Sequence, residues 1–317
     1  MRTITALFVG LGSIGTRHLK NLANLCADRG WTLQADALRS DLTRPLRPGA
    51  AELLHAQYTD LTAAPAHYDM VFITNPTSLH AEALRQVKGR GEALFIEKPI
   101  FSAEQTGLAL DELLPAGQKA YVAAPMRWCG AMLALKDRLP ALHPYCARVI
   151  CSSYLPDWRP GVDYRTVYSA RKALGGGVTI DLIHEWDYLV ELFGVPEKLY
   201  NFKGTYSELE IDSDDLSVYI AKYPTLLAEV HLDYFGRGYR RSIELFCRDG
   251  SYLADFGAGT LTLPDGTVQH YEEDVNRRYE REMEYFVDYA LTGCGESCNP
   301  PALALKVLKL TLGENVQ

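Results

Sequence analysis

The chain has 317 residues, of which 47% are hydrophobic and 23% are charged. At about 150 residues per domain this length predicts two domains, and the apolar content excludes a disordered or fibrous protein. With 32 Lys and Arg against 40 Asp and Glu, the net charge is −8, which argues against nucleic acid or an anionic membrane as the main partner. We therefore expect a small-molecule partner.

Targeting and metal signals are weak throughout the sequence. Its apolar runs are shorter than the roughly 18–20 residues that span a bilayer, and the first residues pass directly into a strand pattern without a secretory cleavage region. We therefore expect no membrane partner and a cytoplasmic location. The seven cysteines are scattered through a chain too long to depend on disulfides, so we expect free thiols and no metal site.

The first third of the chain alternates short β-rich apolar runs with segments of helical period. This alternation predicts parallel strands joined by crossover helices, because a tight turn cannot join parallel neighbours. In chain order the segments are Ile4–Val9, Ile14–Ala27, Thr32–Leu38, Met70–Thr74, Leu79–Val87, Leu94–Ile96, Ala103–Leu114 and Tyr121–Ala124. We predict an α/β domain over residues 1–125.

The pattern changes beyond about Arg148. One strand and a helix near Val178–Phe193 come first, and several strand candidates separated by short turns follow. The candidates are Val149–Leu155, Lys198–Thr205, Leu216–Lys222, Leu226–Tyr234, Arg240–Cys247 and Ser251–Asp255, then a hairpin turned at Asp265-Gly266. Amphipathic helices over residues 275–290 and 302–312 close the chain. Residues 126–317 are thus predicted to form an α+β domain with a mainly antiparallel sheet.

The strongest local motif, Gly10–Gly15, follows the first strand and opens the first helix. Gly10 permits the tight turn, Gly12 lets a pyrophosphate approach the backbone, and Gly15 lets the helix lie close to the strand. Ser13 and Ile14 begin the helix, whose N-terminal N–H groups favour an anion. The motif predicts dinucleotide binding; the alternative is a glycine-rich turn that binds nothing.

The end of the second strand bears on which dinucleotide binds. An NAD site places an acidic residue there to accept ribose hydroxyls, whereas this strand ends in Arg39-Ser40. A guanidinium pairs well with the oxygens of a 2′-phosphate, which favours NADP. Asp41 keeps NAD open if the strand ends two residues later. The predicted cofactor is therefore NADP or NAD.

Four segments in a fixed order resemble the Gfo/Idh/MocA family, which is named after glucose–fructose oxidoreductase and inositol dehydrogenase. They are Gly10–Gly15 with Arg17-His18, then Ile73–His80, then Glu97-Lys98-Pro99, and finally Gly175–Gly177 leading to Asp181, His184 and Asp187. The resemblance implies an N-terminal Rossmann domain and a C-terminal domain whose open sheet covers the active site and often builds oligomers. It also implies NAD(P)-linked chemistry on sugars or polyols, in a homodimer or tetramer.

By the same resemblance, Lys98, His184 and Asp181 are the expected catalytic residues. The Lys98 ammonium would stabilise the alkoxide that forms as hydride leaves, and His184 would take or return the hydroxyl proton. On one continuous helix Asp181 and His184 would share a face with Tyr188. Only two residues separate Asp181 from His184, whereas family members often have three.

Other matching positions surround the expected cofactor and substrate. Thr74, Asn75 and Pro76 are predicted to shape the nicotinamide-ribose pocket, and His80 to cap its helix or pack near the cofactor. Glu97 is predicted to orient the cofactor or Lys98. Arg127 matches an arginine that the family often places at the substrate cleft; a structural ion pair is an equally open alternative.

A basic and aromatic segment, residues 157–172, precedes the glycine triplet. It has four basic residues against two acidic ones, interleaved with Trp158, Tyr164 and Tyr168. Aromatic faces stack on sugar rings and arginines bind carboxylate or phosphate, so Trp158, Tyr164 and Arg165 are predicted to bind an anionic sugar, either a sugar acid or a nucleotide sugar. The alternative is a loop that holds domains or subunits together.

The leading hypothesis is an NAD(P)-dependent oxidoreductase that moves a hydride between nicotinamide C4 and a carbinol or keto carbon of a sugar. The basic loop and the Asp181-x-x-His184 spacing also resemble members linked to bacterial surface-glycan biosynthesis. Two alternatives stay open. One is an enzyme that keeps its cofactor bound for epimerisation or glycoside cleavage through a keto intermediate; the other is a non-catalytic NAD(P)-binding regulator.

Overall fold

The computed structural model describes residues 2–316. Its contacts divide the chain into two units: residues up to Ala123 together with Tyr279–Leu305, and Ala124–Arg278 together with the residues from Lys306 onward. The first unit thus ends two residues before the division predicted at 125/126, and it regains a segment from the predicted second domain. The physical reason is apolar packing, because Phe286 lies 5.4 Å and 5.1 Å from the rings of Phe72 and Phe95.

Residues 2–316 form fourteen strands and eight α-helices, labelled in chain order. The strands are β1 Thr3–Val9, β2 Thr32–Leu38, β3 Leu54–Tyr58, β4 Tyr68–Ile73, β5 Gly91–Ile96, β6 Lys119–Val122, β7 Cys146–Tyr154, β8 Lys198–Gly204, β9 Leu216–Lys222, β10 Leu227–Asp233, β11 Phe235–Cys247, β12 Gly250–Asp255, β13 Thr260–Thr262 and β14 Val268–His270. The helices are α1 Ser13–Asp28, α2 His80–Gln86, α3 Leu110–Leu113, α4 Gly130–Arg138, α5 Val178–Asp181, α6 His184–Phe193, α7 Asn276–Thr292 and α8 Pro301–Thr311.

The first unit contains a six-stranded parallel sheet in the order β3-β2-β1-β4-β5-β6. This is the strand order of the Rossmann fold, and the order reverses between β1 and β4. The central strands are apolar on both faces, as parallel strands covered by helices require; Phe8 of β1 stacks on Phe72 of β4 with ring centroids 4.4 Å apart. At the edge, the backbone N–H of Val122 donates to the Asn299 carbonyl at 2.9 Å, so a later segment covers β6.

The second unit contains an eight-stranded sheet in the order β14-β13-β12-β11-β7-β10-β9-β8. All neighbouring pairs are antiparallel except β7 and β10, which are parallel. The predicted mainly antiparallel sheet is therefore confirmed. Trp186 of α6 is fully buried and packs edge-on against Tyr219 of β9 at 5.1 Å, which fixes this helix on the sheet.

Two predicted helices differ from the structure, and one strand was not predicted. In place of the helix predicted over Ala103–Leu114, the structure has a 3-10 turn at Ala103–Gln105 and the short helix α3. Gly107 lies between them, and glycine destabilises the interior of a helix. Strand β3 was not predicted, because it is a short edge strand in which two of the five residues are exposed and none is buried. The helix predicted over Val178–Phe193 is broken between α5 and α6.

All seven cysteines are free. Within residues 2–316, no cluster of three or more His, Cys, Asp or Glu side chains is arranged to hold a metal ion. Over the same residues, no helix combines the length and hydropathy needed to cross a membrane.

Candidate dinucleotide and substrate sites

The glycine loop packs directly against the segment that follows β4. Gly10 has φ +89°, and a Cβ there would lie 2.8 Å from Cα of Asn75. A Cβ on Gly15 would lie 2.6 Å from both the Gly10 carbonyl and Oγ1 of Thr74. Thr74 Oγ1 donates a hydrogen bond to that carbonyl at 2.5 Å. Positions 10 and 15 therefore require glycine, because the neighbouring backbone and side-chain atoms leave no room for a Cβ.

Gly12 differs from its two neighbours because nothing lies within 4 Å of the position that a Cβ would occupy. It is the N-cap of α1 and supplies no side-chain hydrogen bond to the first-turn N–H groups, which begin at Ser13. A helix N-terminus with open space in front of it accepts an anion such as a pyrophosphate. Ser13 is exposed and Ile14 is half-buried beside this space. The residues present fit a bound dinucleotide.

The segment after β4 is held in shape by a buried histidine. The two ring nitrogens of His80 lie 3.2 Å from the Ile100 carbonyl and 3.0 Å from the Asn75 carbonyl. Burial lowers the pKa of His80, although these carbonyls act in the opposite direction. Asn75 keeps a buried side-chain oxygen for which the described residues offer no hydrogen-bond partner. Pro76 is exposed at the same turn.

Glu97 joins the end of β5 to helix α1. Its Oε1 lies 2.5 Å from Nε2 of His18, and its Oε2 accepts the backbone N–H of Lys98 at 3.1 Å. Burial raises the pKa of Glu97, but the hydrogen bond and charge of His18, together with the Lys98 charge, outweigh burial and hold that pKa below its usual value. Glu97 is therefore an ionised carboxylate that fixes the backbone at Lys98. The Lys98 side chain itself is half-buried.

Arg39 and Asp41, the two residues that bear on the choice between NADP and NAD, both form hydrogen bonds to other residues of the chain. The Arg39 guanidinium donates to Gln57 Oε1 at 2.7 Å and to the Arg44 carbonyl. Asp41 accepts from the backbone N–H of Thr43 at 2.8 Å and from its hydroxyl at 2.6 Å. These hydrogen bonds lower the pKa of Asp41, so it is ionised and turned toward its own loop. Ser40 is exposed beside Arg39.

In the second unit, the glycine triplet is shaped by Asp214. Gly177 has φ +132°, and a Cβ there would clash with Oδ1 of Asp214. The same carboxylate accepts the backbone N–H of Thr179 at 2.9 Å and caps the start of α5. A Cβ on Gly176 would clash with the Tyr168 carbonyl. The triplet thus brings the loop that contains Tyr168 against α5, a contact that the sequence pattern did not reveal.

Asp181, the last residue of α5, lies between two tyrosine hydroxyls. Tyr168 donates to its Oδ1 and Tyr234 to its Oδ2, each at 2.5 Å. Burial raises the pKa of both tyrosines, and the charge of Asp181 raises it further, so both hydroxyls stay protonated donors. Tyr234 was not predicted as a site residue, although it ends the predicted strand Leu226–Tyr234.

The break between α5 and α6 separates Asp181 from His184, which begins α6 and is half-buried. The prediction of one helical face for Asp181, His184 and Tyr188 is therefore wrong for Asp181, whereas His184 and Tyr188 lie four residues apart on α6. Tyr188 is fully buried and packs edge-on against Phe256 at 5.3 Å. β-branched residues at 178, 179, 180 and 183 disfavour a continuous helix, because their side chains crowd the preceding turn.

The predicted substrate loop forms a series of 3-10 turns. Trp158 is 38% exposed; its Nε1 donates to Ser153 Oγ at 3.1 Å and its ring packs edge-on against Tyr234 at 5.2 Å. Tyr164 accepts the backbone N–H of Glu210 at 3.2 Å. Arg165 pairs with Asp163 and Glu210, both at 2.9 Å. Trp158 thus joins the cluster around Asp181, whereas Tyr164 and Arg165 bind neighbouring segments of their own unit.

Arg127 forms a buried ion pair. Its guanidinium donates to both carboxylate oxygens of Asp187 at 2.9 Å and 2.8 Å, and to Glu191 Oε2 at 2.6 Å. The side chain is 3% exposed. Of the two roles that the sequence left open for Arg127, the geometry supports the structural ion pair.

A second buried pair, which was not predicted, lies next to His184 in sequence. Glu185 is completely buried and accepts from Arg241 of β11 at 2.7 Å and 3.1 Å. The pair fastens the start of α6 to the sheet, and with it the backbone at His184.

The parallel sheet with its strand-order reversal, the open helix N-terminus at Gly12 and the ionised Glu97 beside Lys98 define an NAD-binding protein of the Rossmann type. Residues 4–123 match the family described as an oxidoreductase family with an NAD-binding Rossmann fold, named GFO_IDH_MocA. The predicted resemblance to the Gfo/Idh/MocA family of oxidoreductases is thus confirmed, and the family match covers residues 4–123.

Similar proteins support the same family. The uncharacterized oxidoreductase YrbE of Bacillus subtilis (strain 168) is 24% identical over 308 residues, which cover 90% of this chain and 86% of the relative. The inositol 2-dehydrogenase of Rhizobium meliloti (strain 1021) is 26% identical over 200 residues, covering 61% of this chain and 56% of the relative. The structure of a levoglucosan dehydrogenase in complex with NADH and levoglucosan is similar in fold, with a TM-score of 0.82 at 14% identity over 98% of this chain and 96% of that one.

Proposed function

We propose that this oxidoreductase transfers a hydride between nicotinamide C4 and a carbinol or keto carbon of a sugar, a sugar acid or a nucleotide sugar. The observation that supports this most is the arrangement at the carboxyl ends of β1, β4 and β5. There the open N-terminus of α1 lies in the same unit as Thr74, Asn75 and the Glu97-anchored Lys98. Two relatives similar to this chain in sequence or fold are named as dehydrogenases of inositol and levoglucosan, both polyhydroxylated rings.

The chemistry assigned to the chain's own residues concerns the hydroxyl proton and the charge on oxygen. A bound nicotinamide supplies the hydride acceptor or donor. In oxidation, the Lys98 ammonium donates a hydrogen bond to the reacting hydroxyl oxygen and stabilises the alkoxide as hydride leaves the carbon. His184 takes the hydroxyl proton and returns it in the reverse direction. Glu97 acts as a positioning residue, because it holds the Lys98 backbone.

The test is nicotinamide absorbance during incubation with sugars, sugar acids and nucleotide sugars, followed by the Lys98→Met variant. We expect steady turnover by the wild type and a fall in kcat of about 10²–10³ in the variant, the range for loss of one transition-state donor. NADH or NADPH affinity should stay within about threefold. Lys88→Met is the matched control, since Lys88 is exposed in the same unit and donates only to the Glu112 carbonyl. Full activity of Lys98→Met would overturn the assigned role.

The same screen separates the alternative functions. A cofactor that co-purifies and cycles without net change in absorbance would support epimerisation or glycoside cleavage. Binding of a nicotinamide with no chemistry on any compound would support a regulator.

We also propose that Arg39 and Ser40 bind the 2′-phosphate of NADP, with NAD as the alternative. The support is the guanidinium at the end of β2, held in place by Gln57. In Arg39→Gln we expect NADPH affinity to fall about tenfold or more and NADH affinity to be unchanged; Arg44→Gln is the control. Equal affinity of the wild type for the two cofactors would overturn the preference.

A homo-oligomer is proposed as well. Tyr200 and Phe202 of β8 are 53% and 72% exposed, and Ile220 of β9 stands opposite Tyr200 in the register. Side chains that face each other across a strand pair lie on one side of the sheet, so these three form an exposed apolar surface. Sedimentation velocity of the wild type and of Phe202→Asp tests the assembly, which a monomeric wild type would refute.

A further inference from the structure

The two tyrosines that bind the Asp181 carboxylate differ in their exposure to solvent. Tyr168 donates to Oδ1 and Tyr234 to Oδ2, each at 2.5 Å. Tyr234 is fully buried, whereas Tyr168 is 44% exposed and Asp181 itself is 9% exposed. The hydrogen bond from Tyr234 is buried, and the one from Tyr168 is only partly so. The side of the carboxylate that carries Tyr168 is therefore the side that a ligand can reach.

The backbone that carries Tyr168 is fixed, so the exposure of its ring does not come from a loose segment. Ser169 and Ala170, the next two residues, are buried. The Ser169 carbonyl accepts the Ser213 hydroxyl at 2.7 Å. A Cβ on Gly176 would clash with the Tyr168 carbonyl, so the glycine triplet lies directly against this backbone. The fold thus holds an exposed aromatic ring on a rigid support, which lowers the entropic cost of binding a ligand.

The Tyr168 hydroxyl has a defined hydrogen-bonding direction. Its O–H donates to Asp181, so the lone pairs of the phenol oxygen are what it offers to a ligand. Burial and the Asp181 charge raise the pKa of Tyr168, which keeps this hydroxyl protonated. Donation to a carboxylate polarises a hydroxyl and makes its oxygen a stronger acceptor. Asp181 Oδ1 also has acceptor capacity beyond one hydrogen bond. The two oxygens are therefore neighbouring acceptors, 2.5 Å apart.

A pair of neighbouring acceptors suits a ligand that presents two neighbouring donors. Adjacent hydroxyls on a sugar ring are such donors, whereas an oxyanion would be repelled by the Asp181 charge. The exposed Tyr168 ring can also pack against the C–H face of a sugar. Trp158 adds a second aromatic surface beside the same cluster, because it is 38% exposed and packs on Tyr234 at 5.2 Å.

We propose that Tyr168 is a specificity-determining residue that contacts the substrate, and that Tyr168 and Asp181 accept hydrogen bonds from two neighbouring hydroxyls of a sugar ring. This inference rests on the proposed function and narrows its substrate to rings with a free vicinal diol. Tyr234 contacts no substrate and is a positioning residue, since it holds Asp181 from the interior.

The test compares ligands that differ by one hydroxyl, on the NADH-bound protein by isothermal titration. The probes are levoglucosan, myo-inositol, D-glucuronate and UDP-N-acetylglucosamine, which all have adjacent ring hydroxyls; the tightest binder is then compared with its monodeoxy analogues. We expect at least one deoxy analogue to bind the wild type about five- to thirtyfold more weakly than the parent compound. Tyr168→Phe should weaken the parent by a similar factor. It should leave the analogue that lacks the partner hydroxyl within about twofold, because both changes remove the same hydrogen bond.

The matched variant is Tyr234→Phe, which removes the other hydrogen bond to the same carboxylate. If Tyr168 acted only by holding Asp181, the two variants would weaken sugar binding equally. We expect Tyr234→Phe to lower the midpoint of thermal unfolding more and to weaken the sugar less, by the same factor for parent and analogue. Tyr252→Phe is a second control, because Tyr252 lies in the same unit and donates to Asp249 Oδ2 at 2.8 Å. It should leave all affinities within about twofold.

Four outcomes would each overturn the role of Tyr168. They are wild-type sugar affinity in Tyr168→Phe, equal losses in Tyr168→Phe and Tyr234→Phe, an equal loss for the parent and every deoxy analogue, and no binding of any of the four probes. Turnover of a sugar without adjacent hydroxyls would then still support the proposed function. Failure to bind both NADH and NADPH would instead refute that function directly.

Discussion

The two glycines at the start of α1 should respond to alanine in opposite ways. A methyl group on Gly15 would lie 2.6 Å from the Gly10 carbonyl and from Thr74 Oγ1, well inside van der Waals contact. Neither neighbour can turn away freely, because one is backbone and the other donates to it at 2.5 Å. The glycine loop and the residues after β4 must separate.

The expected cost for Gly15→Ala follows from these contacts. Overpacking of a tight interior costs about 1–3 kcal/mol, and loss of the Thr74 hydrogen bond costs about 1 kcal/mol more. Replacing a glycine within a helix returns about 0.5–1 kcal/mol. We therefore expect a net loss of roughly 1–3 kcal/mol in the free energy of unfolding, together with weakened cofactor binding.

Gly12→Ala should leave the fold intact and disturb only the binding site. Gly12 has φ −73° and ψ −160°, which any residue adopts, and nothing lies within 4 Å of the added methyl group. We expect the free energy of unfolding to change by less than about 0.5 kcal/mol. The methyl group would occupy the space assigned to the pyrophosphate, so NADH and NADPH affinity should fall about tenfold or more.

Thermal unfolding without cofactor and titration calorimetry with NADH and NADPH measure the two effects separately. At about 2–4 °C per kcal/mol, Gly15→Ala should lower the midpoint by several degrees and Gly12→Ala by about 2 °C at most. Wild-type cofactor affinity in Gly12→Ala would refute the assignment of this helix N-terminus as the dinucleotide site. A Gly15→Ala protein as stable as the wild type would refute the packing argument.

Three further substitutions test the buried polar groups. Arg127→Met leaves Asp187 buried without its cation and should cost about 3–5 kcal/mol in chemical denaturation, part of which a second change, Asp187→Leu, should restore. His18 and Lys98 hold the pKa of Glu97 below its usual value, so the ionised carboxylate stabilises the fold at pH values above that usual pKa. The difference in stability between the wild type and Glu97→Gln should therefore be full above about pH 5 and shrink as the pH falls toward the folded-state pKa. A stability difference that grows in acid would contradict this reasoning. Asp181→Ala removes the acceptor of two tyrosine hydroxyls and should cost about 1–3 kcal/mol by thermal unfolding, more than Asp181→Asn; equal stability of the two variants would show that the hydrogen bonds contribute little.

The sequence by itself determined many of the strands in both units and the glycine loop of the first. Apolar runs at Thr32–Leu38 and Leu216–Lys222 have the bounds of β2 and β9, since local β-propensity and turn residues at both ends decide a strand of this length. The spacing of Gly10, Gly12 and Gly15 after a strand was sufficient to predict the turn, because the steric demand on each glycine is local. The resemblance to the Gfo/Idh/MocA family followed from the order of four short motifs.

Tertiary structure alone decided which side chains meet. Glu97 and His18 are far apart in sequence and touch only because β5 lies near α1 in the folded sheet. The return of Phe286 to the first unit likewise depends on an apolar surface that no local pattern reveals.

Contacts between distant segments also explain why the predictions for Asp181 and Arg165 differ from the structure. The helical period predicted one helix through Asp181 and His184, whereas the structure separates them into α5 and α6, and Tyr168 and Tyr234 bind the Asp181 carboxylate from other segments. Composition predicted that Arg165 binds an anion, yet in the structure it pairs with Asp163 and Glu210. The sequence directly gives the residue types and their local spacing, which predict strands, turns and motifs. Which charges and hydroxyls pair over long distances in the sequence depends on how the folded sheet brings separate segments together.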